Sequence, residues 1–392
     1  MADFRYLIVG GGMTADAAVK GIRLTDAAGS IGMICSENHP PYDRPPLSKA
    51  LWKGEPLEGI WRKTPQKNLD VLLARTVVRV DAERKRVLDS EGETYSYGRL
   101  LLATGGRSRR LKPDPAGVVY YRTLDDYHRL RELCTKGNSF AVIGGGFIGS
   151  EIAAALAMRK KSVTMIIPQE TIGARVYPPP LGRFLNDYYR GKGVELLTGA
   201  SVSGIEQGGN RYTVRTSGGK QIDVDGGIAG IGIEPNAELA SAAGLAVENG
   251  IRVDALLRTT NVDIYAAGDA ANFFSPHLGK NVRVEHEDNA NTMGGTAGKN
   301  MAGESLPYTH LPFFYSDLFD LGYEAVGELD AGLETVADWR EEFREGVVYY
   351  LKEGRVRGVL LWNTWGKLEA ARELIAAKGT HDRKDLLGRI KA

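Results

Sequence analysis

Three features of the sequence predict an α/β fold, with two similar halves followed by a C-terminal α+β domain. A glycine-rich motif occurs twice, at residues 7–15 and 141–149, each time between an apolar strand and an alanine-rich helix. In both halves short strands follow, and then a strand that ends in glycines, which is an internal repeat at the scale of a domain. After about residue 310, strands rich in Tyr, Val and Trp precede one amphipathic helix, predicted at 366–378.

The first copy of the motif has Gly10, Gly12 and Ala15 in the G-x-G-x-x-A pattern. It lies in a predicted strand at 4–9 and helix at 13–28, with a second strand at 31–36. Such a turn places backbone N–H groups and a helix N-terminus against a pyrophosphate. Glu37 follows the second strand, where this fold places an acid on the ribose hydroxyls about 20 residues on. The first half is therefore predicted to be a Rossmann-like dinucleotide-binding domain.

The second copy, with Gly144, Gly146 and Gly149, opens another strand–helix–strand unit at 139–167. One such motif is a weak signal, because glycine-rich turns are common. Two copies in the same context indicate two Rossmann-like domains, and hence redox chemistry between two dinucleotides. Further on, an apolar strand ends in Gly268-Asp269. A helix is expected at 270–274, so Asp269 is either a cofactor ligand or the cap of that helix.

Composition excludes several other classes of protein. Lys plus Arg number 50 and Asp plus Glu 49, so no charge excess suggests a nucleic-acid partner. No run of 18 apolar residues indicates an integral membrane segment. The first strand begins near Phe4, which leaves no room for a targeting peptide, so a cytoplasmic protein is expected. Cys35 and Cys134 are far apart and the histidines lack metal-ligand spacing, so neither a dithiol relay nor a metal site is expected.

Together these motifs resemble the flavoprotein pyridine-nucleotide reductases of the glutathione-reductase-like class, in which the first fold binds FAD and the second binds NAD(P)H. The stretch Pro-Tyr-Asp-Arg-Pro-Pro-Leu-Ser-Lys at 41–49 is similar to the oxygenase-coupled ferredoxin reductases and to the apoptosis-inducing factor group. The stretches 144–151, 283–286 and 358–363 favour the latter group. The resemblance implies an FAD-binding domain at 1–115 and 245–306. It also implies an NAD(P)H-binding domain at 116–244 and a C-terminal α+β domain at 307–392.

The activity implied by this resemblance is hydride transfer from NADH to FAD, followed by electron transfer to a small-molecule or protein acceptor such as a quinone or a ferredoxin. An apoptosis-inducing factor-like protein would keep a long-lived reduced charge-transfer complex that acts as a conformational signal, with homodimer formation as one outcome. The alternative is a ferredoxin reductase, the electron-transfer component of an oxygenase system.

The resemblance also assigns residues. Those implied to contact FAD are Gly10, Gly12, Thr14, Ala15, Glu37, Arg44, Lys49, Val77, Arg109, Asp269, His286 and Tyr315. Those implied to contact NAD are Gly145, Gly146, Phe147, Ile148, Gln169, Arg175, Gly232, Glu285, Glu324 and Asn363. The catalytic residues implied are Lys49, Glu151 and His286.

Lys49 and Glu151 are implied to form an ion pair beneath the flavin, near N5, whereas the sequence alone favours a surface lysine and a glutamate on a helix face. His286 invites an acid–base role, because an ordinary histidine titrates near pH 6.5. Phe147 could instead be a core residue.

Two positions depart from the family pattern. Tyr315 stands where the relatives usually have Trp against the isoalloxazine ring. Gln169 stands where an acid is expected to bind the ribose of the second dinucleotide, with Arg175 nearby. Glutamine cannot repel a 2′-phosphate and arginine can bind one, so NADPH remains an alternative. NADH is the first choice of coenzyme because the group that the chain resembles prefers it.

Overall fold

The computed structural model describes residues 2–377 and 379–391, and it confirms the predicted α/β class. Its strands in chain order are β1 Ala2–Val9, β2 Ile31–Ile34, β3 Leu69–Leu72, β4 Val77–Asp81, β5 Arg86–Asp89, β6 Thr94–Leu102, β7 Gly106–Ser108, β8 Val119–Tyr120, β9 Ser139–Ile143, β10 Ser162–Ile167, β11 Val194–Thr198, β12 Val202–Gly208, β13 Arg211–Thr216, β14 Gln221–Val224, β15 Gly226–Ala229, β16 Ile233–Pro235, β17 Ile251–Arg252, β18 Ile264–Ala266, β19 Ala271–Ser275, β20 Lys280–Val282, β21 Phe313–Leu318, β22 Leu321–Gly327, β23 Glu334–Glu341, β24 Glu345–Lys352 and β25 Arg355–Trp362.

The α-helices are α1 Met13–Thr25, α2 Ala50–Lys53, α3 Leu124–Lys136, α4 Phe147–Met158, α5 Pro179–Gly191, α6 Glu238–Ala242, α7 Glu287–Met301, α8 Leu368–Ala376 and α9 Arg383–Leu386. Short 3-10 helices lie at Pro45–Ser48, Leu57–Ile60 and Gly268–Ala270. Within the described residues, every helix is too short or too polar to cross a lipid bilayer.

The chain divides into two compact units, and the first comprises the residues up to Arg44, Pro56–Arg107 and Glu234–Pro312. Its central sheet has the order β3-β2-β1-β6-β5-β4, with β18 also paired to β6. Strands β3, β2, β1, β6 and β18 are parallel. The apolar residues of β2 and β18, of β1 from Phe4 onward and of β6 are buried on both faces, as is typical of parallel sheets. Helices α1 and α7 approach closely because Gly294 and Gly298 of α7 lie against the backbone of Thr14 and Ala18.

The second unit comprises Pro45–Glu55, Ser108–Ile233 and the chain from Phe313 onward. It contains a parallel sheet of order β11-β10-β9-β15-β8 and a three-stranded meander, β12-β13-β14. Its C-terminal part is an antiparallel sheet of order β21-β22-β25-β24-β23, on which α8 packs. The short strands β7 and β16 carry the chain from one unit to the other. The three-domain boundaries drawn from the sequence stay a prediction.

Most predicted elements are present with shifted ends. The first helix ends at Thr25, because the next residue, Asp26, accepts hydrogen bonds from the N–H groups of Ala28 and Gly29 and turns the chain. The prediction of a helix at 270–274 is wrong. Those residues form the end of a 3-10 helix and then β19, because β19 pairs with β17 on one side and with β20 on the other. Asp269 therefore caps no α-helix there.

Candidate functional site

The first glycine turn leaves the N-terminus of α1 open. Gly10 has φ +128°, and a Cβ atom there would overlap the carbonyl of Ala103. Gly12 is the N-cap residue of α1, and as a glycine it has no side chain that could accept a hydrogen bond from the first N–H groups of the helix. A Cβ atom on Gly12 would meet only the Arg44 guanidinium, at 4.0 Å. The first N–H groups of α1 therefore face a space that an anionic phosphate group fits.

Two more predicted FAD residues lie at this turn. Thr14 and Ala15 are buried in the first turn of α1. Gly268, with φ +74°, comes so close that its Cβ would overlap the Thr14 hydroxyl, and Asp269 follows it. The fold thus brings the Gly268-Asp269 strand end to the first glycine motif, as the resemblance implied.

Glu37 forms a small polar cluster with two residues of the proline-rich loop. Its Oε2 atom accepts a hydrogen bond of 2.6 Å from the Tyr42 hydroxyl, and its Oε1 atom accepts one from Arg44. Burial lowers the pKa of Arg44. The neighbouring Tyr42, Glu37 and Asp269 raise it by more, so the pKa lies above the usual value for an arginine. Both carboxylate oxygens of Glu37 therefore accept hydrogen bonds that orient the group, and its contact with a ribose stays a prediction.

Glu285 and His286 precede α7, and His286 is its N-cap residue. Arg283, which the sequence did not single out, donates to the Asp269 carbonyl at 3.1 Å and pairs with Glu285 at 2.6 Å. Its side chain is only 9% exposed. Through these two contacts it links the segment before α7 to the Gly268-Asp269 turn. Val77 lies in β4 with its side chain buried, and its backbone contact with adenine stays a prediction.

The second glycine turn repeats these features within the second unit. Gly144 has φ +105°, and its Cβ would overlap the Gly230 carbonyl. Gly146 is the N-cap of α4, and nothing lies within 4 Å of the position where its Cβ would be. Phe147 and Ile148 are half-buried, and the Phe147 ring makes an edge contact with Phe314 at 5.4 Å. The open N-terminus of α4 fits a second pyrophosphate.

The other predicted cofactor residues of this unit differ in their contacts and in their burial. Arg109 donates through its backbone N–H to the Gly232 carbonyl at 2.9 Å, so this predicted FAD residue lies beside a predicted NAD residue. Gln169 is half-buried just beyond β10, and Arg175 is exposed in the same connection.

The C-terminal sheet supplies Glu324 and Asn363. Burial raises the pKa of Glu324, against smaller opposing effects of the Gly366 backbone and Arg372. Its Oε2 atom is buried without a hydrogen-bond partner among the described residues. Asn363 is already engaged by backbone, since its side chain accepts from the Gly322 N–H at 2.7 Å and donates to the Arg344 carbonyl at 2.9 Å. Glu324 thus retains a buried acceptor atom for a ligand.

The ion pair between Lys49 and Glu151, inferred from the resemblance, is present. The Lys49 Nζ atom lies 2.8 Å from Glu151 Oε1, and the two side chains are 12% and 2% exposed. Tyr315 contributes its ring, whose centre is 5.2 Å from the Lys49 ammonium. This excludes the surface lysine that the sequence alone favoured. Ser48 and Ser316, to which the sequence assigned no role, also bind Glu151.

The arrangement can be compared with known proteins. Residues 4–294 match the family model described as pyridine nucleotide-disulphide oxidoreductase. Residues 297–342 and 337–377 match the model of the C-terminal part of apoptosis-inducing factor, mitochondrion-associated.

Three relatives illustrate the similarity. The ferredoxin–NAD(+) reductase component of the anthranilate 1,2-dioxygenase system of Burkholderia cepacia is 36% identical over 97% of this chain and 96% of its own. The mitochondrial apoptosis-inducing factor 1 of Dictyostelium discoideum is 30% identical over 96% of this chain and 79% of its own. The solved covalent complex of putidaredoxin reductase with putidaredoxin matches with a TM-score of 0.89 and 32% identity, over 96% of this chain and 94% of that one.

Proposed function

This chain belongs to the pyridine nucleotide-disulphide oxidoreductase family and is an FAD-dependent oxidoreductase that uses NAD(P)H, and we propose that it passes electrons from NADH to a ferredoxin-type protein. The observation that carries the proposal is the buried pair of Lys49 and Glu151 in a chain with two open glycine turns. FAD supplies the chemistry, because it accepts a hydride and can release electrons singly. The protein supplies binding, orientation and charge.

The first glycine turn is the FAD site in this proposal. The N–H groups at the start of α1 bind the pyrophosphate, and Glu37, held by Tyr42 and Arg44, accepts from the ribose hydroxyls. Asp269 binds the ribityl or pyrophosphate part, and Arg283 holds its backbone in place. These residues fit the group because nothing lies closer than 4.0 Å to the position of a Cβ atom on Gly12, which leaves room at the start of α1.

The second glycine turn binds NADH in this proposal, and Gln169 faces its adenosine ribose. A glutamine there lacks the negative charge that repels a 2′-phosphate, so the preference for NADH over NADPH is modest. In this proposal the Lys49 ammonium would lie near flavin N5, where its positive charge would stabilise negative charge on the flavin and would help to position the nicotinamide. Glu151 keeps that ammonium in place, because a buried lysine must be paired or neutral.

A ferredoxin-type acceptor is supported by the relatives. The protein from Burkholderia cepacia is named as a ferredoxin reductase and aligns along nearly all of both chains. The putidaredoxin reductase was solved in a covalent complex with putidaredoxin, which supports a protein acceptor for a chain of this fold.

A second function, that of a slow reductase of the apoptosis-inducing factor type, has its own supporting observation. The C-terminal part matches that group's model, and the Oε2 atom of Glu324 in it is buried without a hydrogen-bond partner in the part of the chain that the structure describes. In this alternative Glu285, His286 and Glu324 hold NAD⁺ after hydride transfer, and slow release keeps the reduced protein long-lived.

An anaerobic NADH titration of the FAD-loaded protein tests both candidates. Flavin bleaching at one equivalent of NADH, followed by fast reoxidation on addition of a [2Fe–2S] ferredoxin, supports the proposed function. A lasting absorbance band at long wavelength with slow turnover, and a mass shift to a dimer in native mass spectrometry, supports the second. A flavin that NADH fails to reduce contradicts both.

A further inference from the structure

Glu151 accepts three hydrogen bonds in a buried setting. Lys49 Nζ lies 2.8 Å from Oε1, the Ser316 hydroxyl lies 2.6 Å from Oε1, and the Ser48 hydroxyl lies 2.5 Å from Oε2. Glu151, Ser48 and Ser316 are all less than 9% exposed, and Ser316 is fully buried. Both oxygens of this carboxylate are therefore fixed by hydroxyl donors, and one also binds the lysine.

The donors come from separate parts of the chain. Ser48 ends the 3-10 helix just before Lys49, Glu151 lies in α4, and Ser316 lies in β21. Both neighbours of Ser316 in β21 contact the segment that carries Lys49. The Tyr315 ring lies near Lys49, and Asp317 pairs with Lys53 at 2.7 Å. The C-terminal strand is thus joined to this segment both directly and through Glu151.

Hydrogen-bond donors on both of its oxygens help a buried carboxylate to stay charged and in one orientation. Burial without hydrogen bonds disfavours the charged form of an acid, and breaking a buried pair costs about 3–5 kcal/mol. A single lysine satisfies only one oxygen and leaves the carboxylate free to rotate about its last bond. The two serines remove that freedom, because each oxygen has a donor on a different segment.

We propose that Ser48 and Ser316 are positioning residues, which hold the Glu151 carboxylate in one orientation and thereby fix the place of the Lys49 ammonium. The inference rests on the proposed function, in which that ammonium stabilises the reduced flavin. Neither serine touches the reacting atoms. Their effect reaches the flavin through Glu151 and then Lys49.

The test compares Ser316→Ala and Ser48→Ala with the parent protein, all loaded with FAD. The midpoint potential of the flavin falls in both variants, in the same direction as in Lys49→Ala and by less. The rate of flavin reduction in stopped flow falls about threefold, less than in Lys49→Ala, because each serine acts only through Glu151 and Lys49. Ser275→Ala is the matched control, since Ser275 is an equally buried serine in β19 of the other unit. It leaves the potential unchanged.

A double-mutant cycle separates positioning from general loss of structure. If Ser316 acts through Glu151, then Ser316→Ala changes the potential in the parent background and leaves it unchanged in a Glu151→Gln background. Ser48→Thr, which keeps the hydroxyl, retains the parent potential. Should Ser316→Ala fail to fold, Ser48→Ala and Ser48→Thr give the same comparison.

The outcomes also separate this inference from the function on which it rests. A parent protein that binds no FAD, or whose flavin NADH cannot reduce, overturns the proposed function. The positioning role alone is overturned by a different result. In that case NADH reduces the parent flavin normally and Lys49→Ala slows the reduction, but neither serine variant changes the midpoint potential. Equal effects of Ser316→Ala with and without Glu151→Gln overturn it as well.

Discussion

Thr14 and Gly268 lie so close together that a Cβ atom on Gly268 would overlap the Thr14 hydroxyl oxygen. Thr14 belongs to the first turn of α1, and Gly268 begins the 3-10 helix beyond β18. The close approach brings two motifs, far apart in the sequence of the first unit, to one place. It depends on glycine both for space and for a φ of +74°.

The variant Gly268→Ala is expected to bind FAD about tenfold or more weakly and to unfold at lower temperature. The left-handed backbone costs a non-glycine residue roughly 1–2 kcal/mol, and the overlap with Thr14 adds to this cost. Gly279→Ala is the matched control, because Gly279 has φ +63° and nothing within 4 Å of its Cβ position. Fluorescence titration of the apoprotein with FAD measures the difference. Equal affinity in the two variants would contradict the prediction.

The variant Lys49→Ala is expected to retain FAD, to lower the flavin midpoint potential and to slow reduction by NADH on the order of tenfold. The reason is the loss of positive charge near the reduced ring, with Glu151 left unpaired. Lys53→Ala serves as control, because Lys53 makes an exposed pair with Asp317 in the same segment. Spectroelectrochemistry and stopped flow measure the effects, and unchanged values would place Lys49 away from the flavin.

The variant Gln169→Glu is expected to increase the preference for NADH over NADPH. A carboxylate at this position accepts from the ribose hydroxyls and repels a 2′-phosphate. The kcat/KM ratio for the two coenzymes is the measurement. Gln207→Glu makes the same change at an exposed position of β12 and should leave the ratio unaltered. A ratio unaffected by Gln169→Glu would show that the adenosine ribose binds elsewhere.

Neither cysteine is expected to take part in electron flow. Burial, and then the negative charge of Glu37, raise the pKa of Cys35 to about 12, and burial also raises the pKa of Cys134. Only the thiolate is nucleophilic, so raising the pH from 7 to 9 leaves Cys35 protonated and unreactive. Iodoacetamide labelling followed by mass analysis should modify Cys134 first. The double variant Cys35→Ala, Cys134→Ser should keep flavin reduction within about threefold, and loss of reduction in a folded, FAD-bound double variant would reveal a thiol relay.

Local patterns predicted the two glycine turns and the helices that follow them. The strand, the glycine turn and the helix are consecutive in sequence, so the motif around Gly10 and that around Gly144 specify both the turn and the open helix end. Prediction failed at residues 270–274, where a helix was expected and β19 is found. There the strand forms because β17 and β20 offer partners, and no local signal reports a partner that lies elsewhere in the chain.

The sequence by itself determined the two dinucleotide-binding units, the absence of a dithiol motif and the identity of the residues at each glycine turn, because these depend on residues a few positions apart. Only the tertiary structure decided which side chains meet. It brought Gly268 to Thr14, Arg283 to Asp269 and Glu285, and both Ser48 and Ser316 to Glu151. The pairing of Lys49 with Glu151 was implied by resemblance, but its burial and its two hydroxyl donors depend on the packing of β21 and α4, which residue spacing does not encode.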